Sequence, residues 1–149
     1  MKPSKKAKRS GRLGLLVDEE TSRRLARIRQ RDTDPELRVR KILTELGLHY
    51  RTHNRDLPGS PDIANRKHKW AVFVHGCFWH RHEGCPRATT PKRNRAFWLA
   101  KFAANRVRDR RAIRELGQRG FSVLVAWECE SHDKVAIASR RRRLRAYTR

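Results

Sequence analysis

The chain has 149 residues and a formal net charge of +23, because 38 Lys and Arg residues outnumber 15 Asp and Glu residues. This length suits one compact domain, and charge repulsion of this size favours a polyanionic partner such as nucleic acid. The apolar runs are far shorter than the roughly 20 residues that cross a membrane, and none forms a signal-peptide core, so we expect a cytoplasmic protein. Three cysteines do not make a disulfide framework, which leaves them able to bind metal as thiolates.

The N-terminal region is strongly basic. Residues 1–20 lack the periodicity of an amphipathic helix and are interpreted as a flexible arm. Residues 21–31 are compatible with a short basic helix or with an extended strap that contacts phosphates. Residues 21–149 are interpreted as a single domain whose last helix is basic.

The first well-defined helix is predicted to follow Thr33 or Asp34 as its N-cap, with Pro35 in the first turn. Short polar side chains cap helices, and proline is tolerated at their start. Gly47 is predicted to end the helix, since glycine adopts the left-handed conformation at helix C-termini. The residues of its predicted apolar face are Leu37, Val39, Ile42, Leu43 and Leu46.

Four strands are predicted, at residues 48–53, from 62–64 onward, at 70–75 and at 121–127. The loop at 54–61 contains Pro-Gly-Ser-Pro, which has the chemistry of a turn. The stretch Trp-Ala-Val-Phe-Val-His at 70–75 is typical of a central strand that is covered on both faces.

A long helix is predicted at residues 97–116, and a last helix from about residue 134 into the basic cluster at 140–145. The residues predicted to point inward from the long helix are Leu99, Phe102, Ala103, Val107 and Ile113. The order of helices and strands predicts an α/β fold, with a mixed central sheet flanked by helices.

Four residues have the side chains of a metal site. Cys77, His82 and Cys85 are closely spaced, and Cys129 follows a predicted buried strand. Three thiolates and one imidazole form a recognised structural zinc set, which is tetrahedral and closed to further ligands. Such a zinc would stabilise the fold and would not hydrolyse a substrate. The alternative is three unrelated thiols.

His75 and His80 lie among these ligands but are not needed to complete the metal shell. Histidine transfers protons near neutral pH, and Asp62 follows a proline at the start of a predicted strand, where metal-dependent nucleases place a cation-binding carboxylate. Such nucleases usually carry Glu-x-Lys on the next strand, whereas residues 73–76 read Phe-Val-His-Gly. Taken singly, Asp62 is also compatible with a turn residue, and each histidine is compatible with a hydrogen-bonded position in the core.

Several short motifs together resemble one known family. They are Arg-Asp-Thr at 31–33, Leu-Pro-Gly-x-Pro-Asp at 57–62, His-Gly-Cys-Phe-Trp-His at 75–80 and Trp-Glu-Cys at 127–129. The pattern is similar to that of the very short patch repair (Vsr) DNA mismatch endonucleases, over roughly residues 22–130. The resemblance implies a restriction-endonuclease-like fold. It also implies an enzyme that nicks one DNA strand 5′ of the T in T:G mismatches, which arise when 5-methylcytosine deaminates.

The resemblance further implies roles for individual residues. Asp62 would bind Mg²⁺ together with the main-chain carbonyl oxygen of Val74, a position at which one member of the family has a threonine. His75 and His80 would activate the attacking water and order the water shell of the metal, with His80 as the general base. Glu36 matches an acidic residue near the family's site, although its position alone indicates only a favourable charge at a helix N-terminus.

Aromatic and basic residues are expected to contact DNA. Phe78, Trp79 and Trp98 resemble the wedge that the family inserts between base pairs beside the mismatch, with a core position as the alternative for Trp98. Arg106 and Arg110 on the predicted long helix are expected to contact phosphates together with neighbouring arginines.

Two other functions stay open on the sequence. One is a non-catalytic zinc module that binds nucleic acid, in which the histidines are structural. The other is a nuclease of the same fold that cuts at a fixed sequence. For the mismatch endonuclease, one site that cuts one strand requires no dimer, so a monomer is expected.

Overall fold

The computed structural model describes residues 18–145. In chain order its elements are α1 (Glu19–Ala26), α2 (Asp34–Glu45), β1 (Arg51–Thr52), β2 (Ile63–Asn65), β3 (Trp70–His75), α3 (Arg95–Gln118), β4 (Ser122–Trp127), a short 3₁₀ helix (Glu128–Glu130) and α4 (Lys134–Arg145). Within this part of the chain, no helix is both long enough and apolar enough to cross a membrane.

The four strands form one mixed sheet in the order β1-β2-β3-β4. β2 pairs antiparallel with both β1 and β3, whereas β3 and β4 run parallel from Trp70 opposite Ser122 to His75 opposite Trp127. α3 connects the two parallel strands, which need a long crossover. The predicted mixed sheet flanked by helices is therefore confirmed, and β3 has the predicted bounds.

The sheet separates two hydrophobic cores. On one face, α2 and α4 pack against strand residues that include Trp70 and Val72. On the other face, α3 packs against Ala71 and Phe73. Because both faces of the sheet are covered, β3 is apolar up to its last residue, His75. Successive side chains of a strand point to opposite faces, so His75 lies on the same face as Ala71 and Phe73, the α3 side.

α2 begins as predicted, with Thr33 as an extended N-cap and Pro35 in the first turn, and Gly47 follows it with φ of 72°. The prediction that Leu37 lies on the apolar face is wrong, since 45% of its surface is exposed. The neighbouring Glu36 occupies the inward position instead, because hydrogen bonds to its carboxylate satisfy it there.

α3 presents a different face to the core from the one predicted. Leu99, Ala103 and Val107 are exposed, so their predicted inward placement is wrong. The buried residues are Phe97, Trp98, Phe102, Asn105, Ala112 and Leu116. Most of them follow a spacing of four and three residues, on which the polar Asn105 interrupts the apolar pattern. The sequence therefore did not mark the inward stripe by hydrophobicity.

The N-terminal boundary also differs from the prediction. Residues 18–20, predicted to belong to the flexible arm, start α1, because the Asp18 side chain accepts a hydrogen bond from the backbone N–H of Thr21 at 2.7 Å and caps the helix. Residues 1–17 of the predicted arm and residues 146–149 lie outside the described residues.

Two strands are shorter than predicted. β1 covers only two residues of the predicted strand at 48–53, and β2 begins at Ile63 and not at Asp62. Asp62 lies just before the strand because its carboxylate, and not its backbone, bonds to β3.

Candidate active site

The candidate residues lie where the parallel strands β3 and β4 end. His75 is the last residue of β3 and is paired with Trp127, the last residue of β4. Cys77 and Cys129 each follow two residues later, so the two strand ends bring them together. Side chains leave a parallel sheet at this edge toward an open crevice, which makes it a frequent place for functional sites.

The four predicted metal ligands converge. One ligand atom each of Cys77, His82, Cys85 and Cys129 lies within 4.8 Å of all the others. His82 Nδ1 lies 3.3 Å from Cys129 Sγ and 3.6 Å from Cys77 Sγ. The indole of Trp127 stacks on the His82 ring, with centroids 4.2 Å apart and 5° between the planes, and so orients it. These separations suit one tetrahedral ion, with thiolates at about 2.3 Å.

The surroundings of the three thiols shift their pKa values in different directions. Burial, followed by contact with the neighbouring thiols, raises the pKa of Cys129 to about 12. Burial also raises the pKa of Cys77, whereas the backbone N–H of Arg87 lowers the pKa of Cys85. A bound cation would stabilise all three groups as thiolates. The donor set therefore fits a metal ion.

His75, His80 and Asp109 form a second cluster, with their ligand atoms within 4.8 Å of one another. The imidazole rings of His75 and His80 stack with centroids 3.8 Å apart and 6° between the planes. His80 Nδ1 lies 2.6 Å from Asp109 Oδ2, and His75 Nε2 lies 4.0 Å from Asp109 Oδ1. Neither histidine belongs to the cysteine cluster.

The sequence interpretation missed Asp109. It is the only acidic residue between Arg106 and Arg114 on α3, and an isolated carboxylate within such a basic stretch is the signal that could have found it. Together with Asn105, it lies on the inward stripe of α3, one turn from the buried core residues.

The two histidines have different surroundings, because only His80 lies within hydrogen-bond distance of the Asp109 carboxylate and His75 is more deeply buried. A carboxylate at Nδ1 of His80 holds the ring proton on that nitrogen and leaves Nε2 as an acceptor. Burial, followed by the neighbouring His80, lowers the pKa of His75 to about 4, so His75 is neutral at pH 7. The cluster can therefore accept a proton from water or order water molecules nearby.

Asp62 bonds to β3 at the residue that precedes His75. Its Oδ2 accepts a hydrogen bond from the backbone N–H of Val74 at 2.7 Å. The N–H and C=O of one strand residue point to the same edge, so the carbonyl oxygen of Val74 is on the Asp62 side. Burial raises the pKa of the Asp62 carboxyl to about 6, although the hydrogen bond from Val74 lowers it, and the charge of Glu36 adds to the rise. A cation held between the carboxylate and the carbonyl would favour the ionised form.

Glu36 is buried and fully hydrogen-bonded at the start of α2. Its Oε2 accepts bonds from the Asp32 backbone N–H at 3.0 Å and from Arg40 at 3.3 Å, and its Oε1 accepts one from the Thr33 hydroxyl at 2.9 Å. These bonds commit both oxygens, so Glu36 affects Asp62 through its charge.

The predicted DNA-contacting aromatic residues form one cluster. The Phe78 ring centroid lies 5.1 Å from that of Trp79 and 5.3 Å from that of Trp98, both edge-on. Trp98 is buried, whereas Phe78 and Trp79 are half-buried. All three line a cavity of about 520 Å³ beside α1. The three side chains thus lie together, with Trp98 the least accessible of them.

Three arginines in the middle of α3 differ in what surrounds them. Arg106 and Arg110 are exposed, as phosphate contacts require. Arg108 lines the cavity that holds His80 and donates to Asn105, whose Nδ2 in turn donates to the carbonyl oxygen of Trp79 at 2.9 Å. This chain of bonds fixes the position of Trp79 relative to α3.

Comparisons with known proteins identify relatives of the chain. Residues 15–87 match the family model described as DNA mismatch endonuclease Vsr. The chain is 41% identical over 120 residues to the type II nicking enzyme V.XorIIP of Xanthomonas oryzae pv. oryzae, a match that covers 80% of this chain and 88% of the relative. It is 41% identical over 108 residues to the DNA mismatch endonuclease Vsr of Escherichia coli, covering 72% of this chain and 69% of that protein.

A third relative is the type II nicking enzyme V.NmeAIP of Neisseria meningitidis, which is 42% identical over 120 residues, covering 80% of this chain and 85% of the relative. The names of these relatives and the site described above define the class of protein as a nuclease that acts on DNA. The chain belongs to the Vsr family of DNA mismatch endonucleases. The family resemblance of its motifs is therefore confirmed.

Proposed function

We propose that the protein nicks one strand of duplex DNA 5′ of the T in T:G mismatches left by 5-methylcytosine deamination, and so initiates very short patch repair. The observation that carries the proposal is the cluster of His75, His80 and Asp109, which is separate from the cysteine cluster. His75 directly follows Val74, the residue whose backbone N–H bonds to Asp62. The name of the Escherichia coli relative supports the mismatch as the substrate. One site that cuts one strand requires no partner subunit, so we expect a monomer.

His80 is the proposed general base. Its Nε2 takes a proton from the attacking water, while Asp109 holds the ring in place and stabilises the imidazolium that forms. His75, which stacks on His80 and stays neutral, is proposed to order water molecules by hydrogen bonds. Asp109 is a positioning residue in this scheme, because it acts through His80.

Asp62 and the carbonyl oxygen of Val74 are proposed to hold Mg²⁺, in a restriction-endonuclease-like arrangement. Mg²⁺ takes only one or two protein carboxylates and keeps several waters, so this small donor set suits it. When bound, the ion supplies positive charge that polarises the scissile phosphate and stabilises the departing 3′-oxygen. Glu36 is proposed to tune the charge of Asp62, since its own oxygens are committed to the start of α2.

The cysteine cluster is proposed to hold a structural Zn²⁺. Cys77, His82, Cys85 and Cys129 fill all four tetrahedral positions, so no position is left for a reactive water. Such an ion would tie the loop after β3 to the end of β4, and would thereby fix the direction in which His80 leaves that loop.

Phe78, Trp79 and Trp98 are proposed to stack on bases beside the mismatch. Unstacking a base step costs a few kcal/mol, and least where the pair is already mismatched. Stacking a base on an aromatic side chain returns about 1–3 kcal/mol. The two energies nearly cancel at a T:G pair and do not cancel at a sound pair, which gives selectivity. Exposed Arg106 and Arg110 would add phosphate contacts that weaken with salt.

The proposal is tested by incubating the protein and Mg²⁺ with end-labelled duplexes that differ only in one T:G or C:G pair. We expect a single nick 5′ of the T in the T:G duplex, no cut in the C:G duplex, and nicking slowed by orders of magnitude with Asp62→Ala or His80→Ala. Absence of nicking by a folded wild-type protein would support the non-catalytic zinc module instead.

A second candidate function is nicking of fully paired DNA at a fixed sequence. The relatives from Xanthomonas oryzae and Neisseria meningitidis carry the name type II nicking enzyme, which is the observation that favours it. Equal cutting of the T:G and C:G duplexes at one shared sequence would establish this function and exclude mismatch specificity.

A further inference from the structure

A third cavity, of about 420 Å³, adjoins the site on the other side of Glu36, and the mechanism proposed above does not use it. Asp62 forms part of its wall, so the cavity opens beside the proposed metal ligands. The basic residues that line it are Arg31, Arg40, His53 and Arg55. They come from the segment before α2, from α2 itself and from the loop between β1 and β2.

The loop that carries His53 and Arg55 is held in one conformation by its own hydrogen bonds. The buried Asn54 donates from Nδ2 to the carbonyl oxygens of Arg51 at 3.0 Å and Pro61 at 3.2 Å, and so joins the two ends of the loop. The basic side chains are therefore presented by a preorganised segment, which lowers the entropy lost when a ligand binds.

Two carboxylates line the cavity, and neither pairs with Arg31, His53 or Arg55, since Glu36 accepts from Arg40 and Asp62 accepts from the Val74 N–H. Two acidic residues nearby are also bonded elsewhere. Asp56 binds Arg66 through both carboxylate oxygens, and Asp32 accepts a bond from Arg40 at 2.6 Å. Within residues 18–145, the side chains of Arg31, His53 and Arg55 make no hydrogen bond or ion pair. The side chains that line the cavity thus include two carboxylates, Glu36 and Asp62, and the basic groups of Arg31, His53 and Arg55, which are unpaired within the described part of the chain.

The backbone is strained at the same place. Asp32, His53 and Ser60 have φ of 49°, 57° and 50°, in the left-handed region that residues with a Cβ rarely adopt. Strain of this kind persists where the surrounding structure enforces it, and it concentrates at ligand-binding segments. Asp32 directly follows Arg31, while His53 and Ser60 lie in the loop that presents Arg55.

We infer that this cavity is a subsite for a DNA phosphate next to the scissile one on the nicked strand, bound by the guanidinium groups of Arg31 and Arg55 with His53 beside them. Guanidinium groups bind phosphate oxygens in a bidentate geometry, which fixes the register of a strand as well as its affinity. The inference rests on the proposed function, because it takes Asp62 as the place of the scissile phosphate. The subsite would hold the strand in line with His80.

The test measures binding without added Mg²⁺ to T:G duplexes that each carry one neutral methylphosphonate at a successive position of the T strand. For the wild-type protein, we expect neutralisation of one phosphate beside the cutting position to weaken binding about tenfold. In Arg55→Gln or Arg31→Gln, unmodified DNA should bind about tenfold more weakly, and the same methylphosphonate should have no further effect. The plot of log affinity against log salt should flatten by about one unit.

Lys67→Gln is the matched control, since it removes one exposed positive charge in the turn at the other end of β3. This variant should keep the full effect of every methylphosphonate. The subsite is overturned if no position beside the cut is sensitive in the wild-type protein, or if both arginine variants respond to each methylphosphonate as the wild type does. A coupling seen in binding together with absent nicking would contradict the proposed function alone, whereas normal nicking without the coupling would contradict the subsite alone.

Discussion

The two side-chain clusters at the end of β3 differ in donor chemistry although their residues alternate along one short segment. The cysteine cluster supplies three sulfur atoms and one ring nitrogen, and Trp127 packs against its histidine. The histidine cluster supplies only nitrogen and oxygen atoms; His80 bonds to Asp109, and His75 stacks on His80. The difference shows that partners distant in sequence separate the two clusters: Cys129 after β4 completes one, and Asp109 on α3 completes the other.

The largest effect is expected from opening the cysteine cluster. Cys129→Ser or His82→Ala should abolish zinc binding and destabilise the fold, because the binding free energy of a structural metal is folding free energy. Zinc content by elemental analysis and thermal unfolding by circular dichroism measure both effects. His68→Ala, which lies outside both clusters, should retain one zinc per chain and the wild-type unfolding temperature. Full zinc retention in Cys129→Ser would remove the structural role of this cluster.

Removal of the proposed general base should affect chemistry and not the fold. His80→Ala should lower the single-turnover nicking rate by on the order of 10²–10⁴-fold, the usual contribution of a general base. The exposed His49 provides the control, and His49→Ala should nick at the wild-type rate. A His80→Ala protein that keeps its zinc and nicks normally would refute the assignment.

Asp109→Asn tests whether the carboxylate acts through His80. The asparagine no longer holds the ring proton on Nδ1, so the nicking rate should fall by on the order of 10²-fold. Affinity for the T:G duplex, measured without Mg²⁺, should stay unchanged because the exposed arginines still contact phosphates. An equal loss of affinity and rate would indicate a role in DNA binding in place of positioning.

The smallest expected effect is a gain in stability from Asp62→Asn in the protein that retains its zinc but is free of Mg²⁺. The pKa of Asp62 is raised from 3.8 to about 6, so between these values the folded protein binds a proton that the unfolded chain has lost. Stability therefore falls as the pH rises through this window, and the ionised carboxylate costs roughly 1–3 kcal/mol at pH 7.

The asparagine removes this charge and keeps an oxygen that accepts from the Val74 N–H. The unfolding temperature of Asp62→Asn, measured without Mg²⁺ and with zinc bound, should therefore be higher than that of the wild type at pH 7 and should match it near pH 4. Destabilisation of equal size at both pH values would show that Asp62 contributes through its hydrogen bond alone.

Local patterns in the sequence predicted the elements whose partners are close or whose composition is uniform. β3 was predicted at its observed bounds because its residues before His75 are all apolar, as expected of a strand that lies between two cores. The ligand spacing from Cys77 to Cys85 predicted the cysteine cluster, since the residues lie within one loop. The start of α2 followed from Thr33 and Pro35, which act within the first turn.

The inward face of α3 could not be predicted in the same way. Trp98, Phe102, Asn105, Asp109 and Ala112 follow one stripe, but two polar members interrupt its apolar pattern. Those two residues point inward because they bond to partners far away in sequence, the carbonyl oxygen of Trp79 and the ring of His80. Hydrophobic periodicity contains no information on such contacts, so it predicts the more apolar face, with Leu99 and Val107, as the inward one.

The separation of the two clusters is tested most directly by zinc K-edge X-ray absorption of the wild-type protein and of the double variant His75→Ala/His80→Ala. We expect three sulfur ligands at about 2.3 Å and one nitrogen at about 2.0–2.1 Å in both proteins. The double variant should bind one zinc per chain and no longer nick DNA. Loss of the nitrogen ligand or of zinc from the double variant would contradict the separation.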